Sequence, residues 1–169
     1  MAIQYRPLTV ADAEQCVALR KAMLTNAPAS FGSSPEDDRG SDLAQVRERL
    51  QPSTQHATLG AFDASAGLIG TVGVGVHTKR KAKHKASIWG MYVAPEFRRR
   101  GVARRLMQDA IAFAQSAPGV ATLQLSVSTS APGAQQLYES LGFTVWGTEP
   151  DALRIDGRSY DERHLSLAL

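Results

Sequence analysis

Length, composition and charge limit the classes of protein to which this chain can belong. It has 169 residues, of which 43% are hydrophobic and 21% charged, and this is typical of one globular domain spanning residues 1–169. No apolar run approaches the roughly 20 residues of a membrane span, and the N-terminus lacks the apolar stretch of a signal peptide. A single cysteine, Cys16, excludes a disulfide scaffold, and the four histidines show no ligand spacing. We therefore expect a cytoplasmic protein that binds neither a membrane nor a metal.

The net charge of +3 is unevenly distributed along the chain. Residues 79–105 contain ten lysines and arginines and one acid, Glu96, so this segment carries +9 and the rest of the chain −6. A locally basic surface on an otherwise acidic protein indicates one site for an anionic ligand. The distribution favours a nucleotide-like cofactor over a nucleic acid.

Hydrophobic periodicity predicts the elements of the first half of the chain. We expect a strand at 3–9, a helix at 13–24, a polar loop at 29–41 and a short charged helix at 42–50. The pattern then changes from helical spacing to runs that are typical of strands.

Three strands are predicted next, at 58–62, 68–77 and 86–93. Their short connections predict an antiparallel meander, and the glycines within the second strand indicate bulges or a close backbone approach. The remaining predicted elements are a helix at 102–115, a strand at 122–127, a loop at 128–133 and a helix at 134–141. Residues 143–146 start another strand, Asp-Gly at 156–157 predicts a hairpin turn, and 161–167 is the predicted closing strand.

Residues 89–107 carry the most specific signal in the sequence. A strand leads into a turn that contains Gly101, and the turn opens a helix that is surrounded by five arginines. Free backbone N–H groups and the positive end of the helix dipole point out of such a turn, so it predicts a cradle for a pyrophosphate group. The segment lacks the Gly-Lys-Ser/Thr ending of a P-loop and the three glycines of a dinucleotide-binding fingerprint. The alternative is a basic helix end that faces solvent.

Two motifs in the chain resemble those of the Gcn5-related N-acetyltransferase (GNAT) family. Arg-Arg-Arg-Gly-Val-Ala at 98–103 matches the family signature Arg/Gln-x-x-Gly-x-Gly/Ala, and Ala-Gln-Gln-Leu-Tyr-Glu-Ser-Leu-Gly-Phe at 134–143 matches Ala-x-x-Leu-Tyr-x-x-x-Gly-Phe. The match is continuous over 86–143, whereas residues 1–57 match only in pattern. The resemblance implies an α/β (mixed α+β) fold with a central, mostly antiparallel, twisted sheet, flanked by helices and splayed at the strand that binds acetyl-coenzyme A (acetyl-CoA).

The resemblance also implies which residues hold acetyl-CoA. The pantetheine arm would pair with the strand before the cradle, and the pyrophosphate would bind N–H groups of the cradle. Where the family often has asparagine this chain has Ala131, so Ser128, Thr129 or Ser130 would replace that contact. The adenosine 3′-phosphate would meet one of the arginines or the basic run 79–85. The implied cofactor-binding residues are Met91, Tyr92, Val93, Arg98, Arg99, Arg100, Gly101, Val102, Ala103, Arg104 and Ser130.

Two residues are the candidates for proton transfer. Tyr138 occupies the position of the family's usual general acid, where a phenol can protonate the departing thiolate; the alternative is a ring that only packs in the core. For the general base we select Glu36 from the loop acids 36–38, with His84 or a chain of water molecules as alternatives. The same acids would also suit the binding of a cationic substrate or a solvated loop.

Four aromatic residues, Phe31, Trp89, Tyr92 and Trp146, are candidates to line a pocket for the acceptor. The alternative for each is packing in the core, and this is what we expect for Trp146.

The favoured function is that of an acyltransferase, which moves the acetyl group of acetyl-CoA directly to a primary amine of a small molecule or peptide. A homodimer is a compatible assembly. The alternative is a catalytically weak sensor or subunit that binds acetyl-CoA, because the sequence shows no clear base. A nucleic-acid binder is disfavoured, since the basic segment contains no recognised reading motif.

Overall fold

The computed structural model describes residues 2–169 as a seven-stranded mixed sheet flanked by four α-helices. None of these helices combines the length and the apolar character needed to cross a bilayer. The strands are β1 (Gln4–Pro7), β2 (His56–Asp63), β3 (Gly67–Val76), β4 (Lys85–Val93), β5 (Thr122–Ser128), β6 (Thr144–Ile155) and β7 (Arg158–Ala168). The helices are α1 (Ala13–Asn26), α2 (Leu43–Arg49), α3 (Val102–Ser116) and α4 (Pro132–Ser140).

The strands are ordered β1-β2-β3-β4-β5-β7-β6 across the sheet. Neighbouring strands from β1 to β4 are antiparallel, as are β5, β7 and β6, and β4 and β5 form the parallel pair. The predicted meander of three strands is therefore confirmed, and so is the predicted mixed fold with a mostly antiparallel sheet.

Helices cover the two faces of the sheet, and each covered face has its own apolar core. Successive strand residues point to opposite faces: Tyr92 belongs to the cluster with Leu24 of α1 and Val46 of α2, while Val93 belongs to the cluster with Leu106 of α3. Burial of each large apolar side chain contributes about 1.5–3 kcal/mol. The end of β4 is thus held firmly between the two helical layers.

The start of α1 is fixed by an ion pair beneath it. The guanidinium of Arg6 donates to both carboxylate oxygens of Asp12 at 2.7 and 2.8 Å, and the backbone N–H of Thr9 donates to the same carboxylate at 2.8 Å. These hydrogen bonds, the one from Arg6 above all, hold the pKa of Asp12 well below its usual range. The ion pair therefore keeps α1 in place against the sheet at neutral pH.

β4 and β5 separate soon after they begin. They pair over residues 85–87 and 122–124. Beyond these, residues 88, 89, 92 and 93 of β4 pair only with β3, and residues 125–128 of β5 pair only with β7. The sheet is consequently splayed between residues 88–93 and 125–128, as the resemblance implied.

A β-bulge in β4 accompanies this separation. Thr71 of β3 lies opposite Tyr92, and Gly73 lies opposite Trp89, so two steps along β3 face three steps along β4. Gly90, inside the bulge, has φ +60°, a left-handed conformation that glycine adopts without steric cost. Because bulges bend a strand and increase its twist, this bulge turns the end of β4 away from β5.

The structure changes two expectations about the last third of the chain. The helix predicted at 134–141 begins earlier, at Pro132, because proline in the first helical turn loses no hydrogen bond. The expectation that Trp146 packs in the core is wrong: its side chain is 62% exposed and its ring lies 5.3 Å from that of His164. Trp146 belongs to β6, the edge strand, and the apolar clusters under the helices do not reach it.

Candidate active site

The space between the splayed strands, here called the main cleft, is a cavity of about 670 Å³. It is bordered by residues 88–93 of β4, 125–128 of β5, one side of α4 and residues 30–32 after α1. Because β4 has no strand partner on this side, backbone groups along its edge are available to an extended ligand, which can add to the sheet as a strand does. The shape of the main cleft suits a long and narrow molecule.

A second cavity, of about 270 Å³, lies at the N-terminus of α3 and is here called the cradle. Gly101 precedes the helix with φ +81°, and a Cβ atom there would meet no atom within 4 Å, so the position is open. The first helical hydrogen bond runs from the N–H of Arg105 to the carbonyl of Gly101 at 3.1 Å. The N–H groups of residues 102–104 thus point out of the helix end without helical partners. The cradle is lined by Val93, Phe97, Arg98, Arg99, Gly101, Val102, Ala103, Arg104 and Leu137.

Arg98 connects the cradle to the main cleft. Its Nε donates to the carbonyl of Val93 at 2.9 Å, and its guanidinium lies 5.5 Å from the centre of the Tyr92 ring. These contacts fix the turn against the end of β4, so Arg98 has a structural role in addition to its position on both cavity walls.

The other predicted arginines differ in their surroundings. Arg104 donates from Nη2 to the hydroxyl of Ser140 at 2.7 Å and so links α3 to α4. Arg99, on both cavity walls, has φ +59°, a conformation that non-glycine residues rarely adopt. Arg100 stacks over Phe97 at 5.3 Å and is not among the residues that line the cavities. The structure therefore brings Arg98, Arg99 and Arg104 to the cradle and leaves Arg100 at its edge.

Tyr138 reaches the main cleft from α4. Its side chain is buried, the edge of its ring packs on Phe143 with centroids 6.2 Å apart, and the residue borders the main cleft. Burial raises the pKa of Tyr138 to about 12. The phenol therefore carries its proton at neutral pH and also in alkaline solution, which is the state that a proton donor needs.

A third cavity, of about 340 Å³, lies between the sheet and the helices α1 and α2 and is here called the side cavity. Arg20, Trp89 and Gly90 border both the side cavity and the main cleft. The two spaces therefore adjoin at the bulge of β4, and a molecule in the side cavity can approach the main cleft there.

Trp89 forms the wall between these two spaces. Its indole lies flat on β3, where a Cβ atom on Gly73 would be 2.3 Å from Nε1 and one on Gly75 would be 3.0 Å from Cη2. Gly73 and Gly75 are among the glycines for which the sequence indicated a close approach, and they leave room for the Trp89 ring. Phe31, Trp89 and Tyr92 all border the main cleft, and Trp89 also borders the side cavity; that they line a pocket for the acceptor stays a prediction.

The serine segment after β5 lies partly in the main cleft. Ser128 is buried and borders the cleft, while Ser130 is exposed and shares a 2.8 Å hydrogen bond with the hydroxyl of Ser128. Ser130 therefore does not border the main cleft itself and contacts it only through its hydrogen bond to Ser128.

The acidic residues lie at different distances from the cavities. Glu36 is exposed and borders none of the cavities described, whereas Asp37 and Asp38 border the side cavity. Sequence reasoning did not assign a role to Glu162, the one carboxylate that lines the main cleft within residues 2–169. Its signal in the sequence was the acidic pair 161–162 in the closing strand. No group of three or more histidine, cysteine or acidic side chains in the described part of the chain could hold a metal ion.

A splayed sheet with a glycine-opened helix beside the gap has a shape that suits a long ligand with an anionic end. Residues 18–143 match the model of the acetyltransferase (GNAT) family, and the chain belongs to this family. The matched segment contains β4, the cradle and Tyr138.

Solved structures of this family share the whole fold. An acetyltransferase of the GNAT family from Streptococcus pneumoniae superposes with a TM-score of 0.86 at 20% identity, covering 99% of this chain and 100% of that one. The protein yncA of Salmonella typhimurium, solved with its cofactor acetyl-CoA, gives 0.83 at 19% identity over 100% of this chain and 95% of its own. A GCN5-related N-acetyltransferase from Kribbella flavida gives 0.82 at 28% identity over 99% and 98%.

Sequence similarity to a curated relative is confined to a short segment. The chain is 42% identical over 59 residues to the ribosomal protein bS18-alanine N-acetyltransferase of Salmonella typhimurium. The match covers 35% of this chain and 39% of that relative. The similarity thus spans about two fifths of the relative's length.

Replacement of Gly73 by alanine is expected to move Trp89 off β3, because the new methyl group would overlap the indole ring. With Trp146 changed to phenylalanine, Trp89 is the remaining tryptophan, and its fluorescence emission should shift to longer wavelength as the ring enters water. Gly147→Ala, at a position with no atom within 4 Å of the added Cβ, serves as the control. Unchanged emission in Gly73→Ala would contradict the proposed packing of Trp89.

Proposed function

We propose that this protein transfers the acetyl group of acetyl-CoA directly to a primary amine. The observation that carries the proposal is that the main cleft and the cradle adjoin and share lining residues. Val93, Arg98, Arg99, Ala103 and Leu137 border both. A single elongated molecule with phosphates at one end would fill both spaces.

The residues around these spaces fit acetyl-CoA, which would supply an acetyl group activated as a thioester. The unpaired edge of β4 at residues 91–93 would pair with the pantetheine arm, and Ser128 with its partner Ser130 would add polar contacts from the opposite strand. The N–H groups of residues 102–104 would bind the pyrophosphate, where the helix dipole favours negative charge. In the net reaction an amide bond forms, the thioester C–S bond breaks and one proton passes from nitrogen to sulfur.

The arginines beside the cradle are the better candidates for the adenosine 3′-phosphate. The basic run 79–85 precedes the other end of β4. At about 3.3 Å per residue, this places it roughly 25 Å from Val93. The cradle and the basic run would therefore not meet the same end of the cofactor.

Tyr138 would protonate the departing sulfur. It borders the main cleft, and its ring packs on Phe143. Its phenol carries a proton at neutral pH and, because burial raises its pKa to about 12, also in alkaline solution. General acids of this kind typically accelerate a reaction by about 10²–10⁴-fold.

The proton acceptor for the amine has two candidates. The role of Glu36 as the general base stays a prediction. It would require the exposed loop to move so that the carboxylate of Glu36 enters a cavity. Glu162 already borders the main cleft, and it lies on β7 opposite Ser128 of β5. A carboxylate at this position could accept a proton from the amine directly or through one water molecule.

The first test of the proposal is Gly101→Ala. The substituent is expected to raise the Kd for acetyl-CoA at least 10-fold, because a methyl group would project into the open cradle where phosphates approach the backbone. The left-handed backbone at this position should also cost about 1 kcal/mol of stability. Isothermal titration with acetyl-CoA measures the affinity.

Gly119→Ala is the matched control for this variant. Gly119 has φ +76° and open space around its Cβ position, but it follows α3 at the end far from the cradle. It should lose similar stability and keep the affinity of the wild type for acetyl-CoA. Equal affinities in both variants would show that the cradle does not bind the cofactor.

A second test is Tyr138→Phe, which keeps the packing against Phe143 and removes the phenolic proton. We expect kcat to fall about 100-fold, at the lower end of the range for general acids because a thiolate leaves readily. In the wild type, Tyr138 should cause no alkaline loss of activity below about pH 11, since its pKa of about 12 keeps the phenol protonated. Release of free thiol during amine acetylation provides the measurement.

Tyr160→Phe is the control, because Tyr160 lies on β7 and is not among the residues that line the cavities described. A Tyr138→Phe variant with the kcat of the wild type would show that Tyr138 is not the general acid. Tight binding of acetyl-CoA without acetylation of any amine would instead identify a sensor.

A further inference from the structure

The charges around the side cavity indicate which second functional group the acceptor amine carries, an inference that rests on the proposed function. The cavity is lined by three arginines and two aspartates, so its lining has a formal charge of +1. Its volume of about 340 Å³ would hold roughly ten water molecules. This is room for a small molecule of the size of an amino acid.

One of these arginines is already neutralised. Arg20 donates to both carboxylate oxygens of Asp38, from Nε at 3.0 Å and from Nη2 at 2.8 Å. The hydroxyl of Ser41 donates to the same carboxylate at 2.7 Å. The hydrogen bond from Arg20 has the largest effect on the pKa of Asp38 and lowers it. Burial raises this pKa and the hydrogen bond from Ser41 lowers it further, so the pKa of Asp38 is about 2. The charges of Arg20 and Asp38 therefore neutralise each other, and the two side chains form part of the cavity wall.

The other aspartate, Asp37, also has hydrogen-bond partners within the protein. Asp37 accepts from the backbone N–H of Ser34 at 2.9 Å and from its hydroxyl at 3.0 Å. No ion pair within residues 2–169 joins either Asp37 or Asp38 to Arg49.

Arg49, the last residue of α2, lacks such a partner. Its Nε is the one side-chain nitrogen or oxygen atom in the described chain that is buried without a hydrogen bond. Beside it is the buried thiol of Cys16, whose pKa is raised by burial and lowered to a smaller extent by the charge of Arg49 and a hydrogen bond from it. The thiol carries no negative charge at neutral pH, and its sulfur is only a weak acceptor. A buried donor on a charged group is costly without a strong acceptor.

We infer that the side cavity binds the acceptor through a carboxylate held by Arg49, so that the substrate is a small amine that also carries a carboxylate group. A guanidinium offers a planar, forked set of donors that matches the two oxygens of a carboxylate. The hydroxyl-bearing Thr58 and Thr71 line the same cavity, and Trp89 borders it beside the main cleft. With its carboxylate at Arg49, the molecule extends toward Gly90, where the side cavity adjoins the main cleft.

The test compares acids with their amides. A panel of α-amino acids and straight-chain ω-amino acids, each paired with its own carboxamide, is titrated into the wild-type protein in the presence of coenzyme A. At least one acid should bind 10-fold or more tightly than its amide. A panel in which no acid binds more tightly than its amide would overturn the inference without any variant.

Variants then assign the preference to Arg49. Arg49→Met should reduce the difference between acid and amide to less than threefold, and Arg49→Lys should restore part of it, because lysine keeps the charge and loses the forked geometry. Arg47→Met is the matched control on the same helix: its side chain is 51% exposed and lies 3.6 Å from Glu14, outside the cavity lining. A full preference for the acid in folded Arg49→Met would overturn the role of Arg49.

Turnover separates this inference from the proposed function. Preferential binding of an acid, with no amine of the panel acetylated by the wild-type protein and acetyl-CoA, would support a carboxylate site at Arg49 and contradict the acetyltransferase proposal. Equal acetylation of an acid and its amide, measured as kcat/KM, would support the acetyltransferase and contradict the carboxylate site.

Discussion

β4 and β5 pair only over residues 85–87 and 122–124, and the rest of the site depends on this early separation. Each strand remains anchored on its other side, β4 to β3 and β5 to β7, so the gap does not weaken the sheet around it. The bulge at Gly90 supplies the bend, and apolar clusters on both faces hold the bent strand in place. An unpaired strand edge is normally a liability, and here it is enclosed within a cavity in which a ligand can take the place of a strand.

Three spaces converge on the end of β4. The main cleft follows its open edge, the cradle lies beyond Val93, and the side cavity adjoins the cleft at Gly90. This arrangement would bring an acyl donor from one side and an amine from the other to the same short segment of backbone. Trp89 lies between the two, and the absence of side chains at Gly73 and Gly75 allows its ring to do so.

The parts of the site that follow local rules could be predicted from the sequence. Gly101 at a helix start and Tyr138 in its motif depend on neighbours in the chain, and the structure places both at cavities. Trp146 was misplaced because an alternating pattern does not tell an edge strand from a central one. Arg49 could not be found, since its isolation depends on how α1 and α2 pack on the sheet. Glu162 reaches the cleft only through the long-range pairing of β7 with β5.

Hydrogen exchange with and without acetyl-CoA, measured by mass spectrometry, tests the central claim most directly, namely that the open edge of β4 and the helix end beside it bind one ligand. Saturating acetyl-CoA should slow the exchange of amides in residues 90–93 and 101–104 and leave those of β6 unchanged. Saturation with no protection of residues 90–93, or with protection confined to the basic run 79–85, would contradict the account.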